Sequence, residues 1–104
     1  MGMPGNMNNM LKQAQRMQRQ MEERQKELEE KTFTATAGGG AVEITVTGKK
    51  TIEKIKLDPD AVDPDDVEML QDLIMAAANE ALAKAEEANQ DLMGSISGGL
   101  NLPF

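Results

Sequence analysis

The 104-residue sequence predicts an α+β fold in the order helix, three-stranded antiparallel meander, helix (α-β-β-β-α). Three observations carry this. Residues 6–31 contain no Gly or Pro and repeat their apolar side chains at helical spacing. Residues 32–57 alternate apolar and polar side chains in short runs separated by glycine-containing turns. Residues 64–93 return to helical spacing behind a helix start made of Asp and Pro.

The first helix, 6–31, is built from Met, Leu, Lys, Gln, Glu and Arg, all strong helix formers. Met7, Met10, Ala14, Met17, Met21 and Leu28 form a heptad seam, and Arg24 fills its one gap. Lys12, Arg19 and Lys26 stand seven residues apart on the opposite face, with Arg16 one turn from Lys12. At 1.5 Å per residue the helix spans about 39 Å. A strand of seven residues spans only about 24 Å. The helix therefore overhangs any sheet it accompanies, and its seam points to packing on a second copy. The expectation is a homodimer with protruding first helices.

Three strands follow. In 32–37, Phe33, Ala35 and Ala37 face one side and three threonines the other. Gly38-Gly39-Gly40 is a turn that tolerates positive φ. In 41–47, Val42, Ile44 and Val46 share a face. After Gly48-Lys49-Lys50 comes 51–57, where Ile52, Ile55 and Leu57 break the period of two and imply a bulge near Glu53. Asp63-Pro64-Asp65-Asp66 then opens the second helix, 64–93, with Asp63 as its cap. Its apolar face runs through Val67, Leu70, Ile74, Ala77, Ala81 and Ala85, and Gly94 is its expected stop. Residues 1–93 are thus one domain, followed by a flexible Gly-rich tail, 94–104, whose Leu100, Leu102 and Phe104 could dock.

The composition excludes several functions. Without His and Cys, the usual zinc sites and the commonest general base are missing. Ser95 and Ser97 have no base beside them. The expectation is a protein that is not an enzyme and needs no metal, cofactor or small-molecule substrate. The acidic stretch from Asp58 fails the calcium-loop pattern: Asp63 stands where Gly is required, and the twelfth position is Met69. Gly38-Gly39-Gly40 joins two strands and lacks the Lys of a phosphate loop. No apolar run approaches membrane length, and no signal pattern opens the chain. A soluble, intracellular protein without membrane contact is expected.

Net charge is −7, but it is unevenly spread. Residues 1–31 carry six basic and five acidic residues, 32–57 four and two, and 58–104 one and eleven. Residues 1–21 hold three basic side chains, Lys12, Arg16 and Arg19, and no acid. A rigid basic helix face can track nucleic-acid phosphates. Lys12, Arg16 and Arg19 are the leading candidates for nucleic-acid binding, with Arg24 and Lys26 farther along among mixed charges. Two other readings stand beside this one. The basic face can be ordinary solvated surface, or the chain can be a coiled-coil adaptor that holds a protein partner through its Met seam. With Phe33 and Phe104 as the only aromatics, stacking on single strands and the stacking modes of RNA binding are disfavoured, which favours double-stranded DNA as the nucleic-acid partner.

Four segments in order resemble the YbaB/EbfC nucleoid-associated proteins. Met10-Leu11-Lys12-Gln13-Ala14-Gln15, continuing to Arg16-Met17-Gln18, is similar to their opening helix. Gly38-Gly39-Gly40, the Val42–Val46 strand, Gly48-Lys49 and Leu57-Asp58-Pro59 match their central signature. Leu73-Ile74, Ala76-Ala77, Asn79, Ala81 and Lys84 resemble their second helix, and Gly98-Gly99-Leu100-Asn101-Leu102-Pro103 their tail. The resemblance implies a bacterial cytoplasmic, nucleoid-associated homodimer whose first helices project like tweezer arms and bind DNA. Lys12 and Arg16 fall within the matching motif, and Arg19 lies just beyond it. Two positions depart from the family pattern: Ala41 replaces a larger apolar residue, and Glu43 a polar or basic one, which argues against DNA contact by the sheet.

Overall fold

The computed structural model describes residues 3–100, with side chains described for 7–94. In order they form α1 (Met3–Glu30), β1 (Thr32–Ala37), β2 (Val42–Thr47), β3 (Ile52–Leu57), a single 3-10 turn (Pro59–Ala61) and α2 (Val67–Leu100). The three strands make one antiparallel sheet in the order β1-β2-β3. This is the expected α-β-β-β-α order. The molecule is elongated, 81 × 26 × 16 Å.

The core lies between the sheet and α2. The central strand β2 buries Val42, Ile44 and Val46 completely, and α2 meets it with Ala77, Ala81 and Ala85, also fully buried. These alanines recur every fourth residue and so form one stripe along the helix. Their small side chains let the α2 backbone approach the strand closely. Ala35 of β1 completes the buried set, and Phe33, Leu70, Leu73, Ile74 and Leu82 pack around it. Val67, expected on this face, is instead exposed, because it stands at the first turn of α2, beyond the sheet.

α2 lies over β1 and β2. The far strand β3 is left open, although its apolar residues point to the same side. Ile55 pairs with Ile44 and Ile52 with Val46, while Glu53 has no partner in the register. The bulge expected near Glu53 is therefore present, and it puts Ile52 and Ile55 on one face despite their three-residue spacing. Both stay about half exposed, at 47% and 49%.

The two sheet edges differ. Gly48 N–H bonds the Lys31 carbonyl, so the alternation of the ladder turns the Thr34 carbonyl outward from β1. Lys84 Nζ of α2 donates to that carbonyl at 2.8 Å and blocks the edge. At the other edge, Asp58 N–H bonds Ala41, so the backbone groups of Ile55 and Leu57 point off the sheet.

The connections follow local chemistry. Gly38, Gly39 and Gly40 all adopt positive φ (65°, 67° and 93°), which L side chains rarely do. The Asp63-Pro64 segment does not open α2. Asp63 Oδ1 accepts from Asp65 N–H, and its carbonyl from Asp66 N–H, closing a turn with Pro64 at its second position. Asp66 caps the helix instead, accepting from Met69 N–H at 3.3 Å.

α2 also outruns its expected end. Gly94 keeps a helical backbone, with no left-handed φ, and the helix continues to Leu100. A glycine inside a helix costs roughly 1 kcal/mol but ends it only when it turns left-handed. Residues 94–100 continue α2 in the described backbone. The expected docking of Leu102 and Phe104 lies outside the described residues.

Two stability measurements check this packing. Ala81→Leu overfills the contact with β2 and should lower unfolding free energy by about 1–3 kcal/mol in urea titration. Gly39→Ala meets open space but keeps its positive φ, and should cost about 1 kcal/mol.

Candidate nucleic-acid interface

The basic candidates sit on a helix that has left the core. From Met7 to Glu27 every side chain of α1 is exposed, and only Leu28 and Glu29 become half-buried where the helix reaches the sheet. The 28 residues of α1 make an arm of about 42 Å. Nothing in the sheet covers it, because α2 has already taken the apolar face of β1 and β2.

On this arm Lys12, Arg16 and Arg19, together with Gln15, line one shallow concavity. Three- and four-residue steps bring them together, since such residues are neighbours on a helix surface. The result is a patch of three cations and one amide. No Asp or Glu occurs among residues 1–21, and the first acids, Glu22 and Glu23, follow one turn beyond Arg19. Gln15 was not singled out from the sequence; its position three residues from Lys12 is the signal that would have found it.

Arg24 and Lys26 are placed differently. Arg24 is exposed, but at 100° per residue it lies roughly 140° round the helix from Arg19. It therefore faces the seam side. Lys26 is on the basic side, two turns below Arg19, and lines a separate concavity with Glu29, Glu30, Thr47, Lys49, Thr51 and Glu53. Its three carboxylates offset the cations there. Glu43 lies on the polar face of the sheet, opposite Thr36 and Lys56 in the register.

The seam is also open in the single chain. Met7, Met10, Met17 and Met21 are 40–68% exposed. Only its lower end approaches α2, where Met21 and Gln25 line a concavity with Asn89, Leu92 and Met93. Leu28 is half-buried at the base of the arm. The acidic stretch beyond β3 is occupied with its own backbone: Asp58, Asp63 and Asp66 each accept from a main-chain N–H two or three residues on. No helix among the described residues is long and apolar enough to cross a membrane.

The chain is thus a two-helix, one-sheet fold with an uncovered basic arm. The family model of the YbaB/EbfC DNA-binding family matches residues 2–100, and the chain belongs to that family. It is 65% identical to a nucleoid-associated protein of Clostridium acetobutylicum and 67% identical to one of Agathobacter rectalis. Each match covers 95% of this chain and 88% of the relative. A solved structure, that of an uncharacterized protein of Helicobacter pylori, shares the fold with a TM-score of 0.66 at 20% identity, over 80% of this chain and 96% of that one.

Because Lys12 and Arg16 are exposed on a helix without tertiary cover, charge reversal should not disturb the fold. Lys12→Glu with Arg16→Glu is expected to keep the far-UV circular dichroism and to shift unfolding free energy by no more than about 0.5 kcal/mol per site.

Proposed function

We propose that this protein is a nucleoid-associated, cytoplasmic protein that binds double-stranded DNA as a homodimer, through phosphate contacts from the basic faces of its two α1 arms. One observation carries the reading: Lys12, Arg16 and Arg19 converge on one exposed side of α1 within residues 7–21, a stretch that contains no acid, with Glu22 and Glu23 the first acids beyond Arg19. Membership of a DNA-binding family and the naming of its relatives support it. Contacts to phosphate carry little sequence information, so the binding is only weakly selective. The acidic α2 half, with eleven of the chain's acids beyond residue 57, turns away from the DNA.

The open flank of β3 is the dimer face in this reading. Ile52 and Ile55 continue the core face without a cover, and the β3 edge is unblocked while the β1 edge is closed by Lys84. A second copy can satisfy both the apolar face and the unpaired backbone there. The exposed methionines of α1 favour a second reading, in which the arm holds a protein partner through its seam and touches no DNA.

Salt dependence separates the two. In fluorescence-anisotropy titrations with a short random duplex, six neutralised phosphates give a slope of log K against log salt of about −5. Lys12→Glu with Arg16→Glu should abolish binding while the dimer persists. Absence of binding by the unaltered protein at low salt would favour the adaptor reading instead. For the interface, Ile55→Asp should shift sedimentation to the monomer, whereas Met17→Glu should not; the reverse pattern would move the interface to the seam.

A further inference from the structure

The base of the arm is built with more care than a surface turn requires. Besides its approach to α2 at Met21 and Gln25, α1 meets the hairpin turn Gly48-Lys49-Lys50, which is tied on both sides. Gly48 is buried, and its φ is not in the positive range. Conformational freedom is therefore not why glycine stands there. A Cβ at this position would lie 1.8 Å from the Leu28 carbonyl oxygen and 2.6 Å from its carbon. The turn backbone thus rests directly against the last turn of α1, and any side chain would push the arm away.

Hydrogen bonds complete the joint. Gly48 N–H donates to the Lys31 carbonyl at 2.9 Å, just past the end of α1. The Gly48 carbonyl accepts from Asn89 Nδ2 of α2 at 3.1 Å, and the same nitrogen donates to Ala85 O at 2.8 Å. Both partners are carbonyl oxygens, so the amide nitrogen must face them and its two hydrogens are both used. Two ion pairs flank the turn: Lys49 reaches Glu29 of α1 at 3.8 Å, and Lys50 reaches Glu86 of α2. The turn thus binds the arm with one side and the core helix with the other.

We propose that the Gly48 turn is the joint that sets the direction of the α1 arm, and that Asn89 is the positioning residue that locks it to α2. Leverage gives this a consequence. With an arm of about 42 Å, a 10° tilt at the base moves the tip by about 7 Å. That is twice the 3.4 Å axial rise per phosphate of one DNA strand. The effect on DNA rests on the function proposed above; the effect on arm direction does not.

The chain has no cysteine, so spin labels can be introduced cleanly. Labels at Gln18→Cys on the arm and Thr36→Cys on β1, diluted with excess unlabelled chain, report the arm-to-sheet distance by pulsed electron resonance. In this background Asn89→Ala should broaden the distance distribution about two-fold well below the melting temperature, with helix content unchanged. Lys54→Ala, an exposed change on β3 outside the joint, should leave the width unchanged. Asn89→Ala should also weaken binding of a random duplex about five-fold or more. An unchanged width in Asn89→Ala overturns the joint, whatever the DNA result. A broadened width with unchanged duplex affinity overturns the coupling of arm direction to binding. Failure of the unaltered protein to bind the duplex removes the proposed function, and the width of the distance distribution still decides whether the joint exists. Gly48→Ala is the more severe variant, and Asn89→Ala decides the question if it does not fold.

Discussion

Three alanines of α2, at positions 77, 81 and 85, lie against Val42, Ile44 and Val46 of β2, all fully buried. This contact between a small-residue stripe and a β-branched strand is the base on which the remaining structure stands. Among the described residues no aromatic ring joins the fully buried set, and Ile44, Val42 and Val46 are its largest side chains. A core this small is stabilised by close approach more than by bulk, since dispersion grows with the number of atoms near their optimal separation. Alanine on the helix permits that approach, and larger residues would lift α2 from the sheet.

The same contact distributes everything else. Once α2 occupies β1 and β2, the apolar face of those two strands is closed to α1, and the first helix stands as an arm. Its amphipathic character is then unusual in its consequence. Both the Met seam and the basic face are presented to solvent, where an ordinary surface helix buries one of them. The uncovered β3 has the same origin, since one helix spans only two strands. Exposed apolar surface at two separate places, α1 and β3, is the reason a single chain does not look like a finished assembly.

Charge follows this geometry. Acids gather after residue 57, on the segment and helix that hold the core, while the distal arm carries cations alone. A net charge of −7 would by itself repel DNA. Exposed charges farther apart than about 8–10 Å are largely screened at physiological salt. Lys12, the cation nearest the free end of the arm, stands ten residues, about 15 Å along the helix, from Glu22, the first acid of α1. Length and segregation together make a basic site possible on an acidic protein.

Much of this was legible in the residues. The helical and alternating periods located five elements in order, and the step from Ile52 to Ile55 exposed the bulge at Glu53. Lys12, Arg16 and Arg19 could be grouped because i, i+3 and i, i+4 neighbours are set by the helix itself. Local rules were less reliable where two compete. Asp63 reads as the cap in sequence, yet it is spent on the turn around Pro64, and Asp66 caps the helix instead. Gly94 reads as a stop, yet it remains helical. The role of Gly48 was hidden because it depends on the Leu28 carbonyl, twenty residues away. Asn89 was hidden for the same reason, since its partner lies 41 residues away. The sequence by itself determined the elements, their faces and the charge pattern, because these depend on neighbours along the chain. Only the tertiary structure decided that α2 takes the sheet, that α1 is left as an arm and that a buried glycine sets its base, because those outcomes depend on competition between distant segments for the same surface.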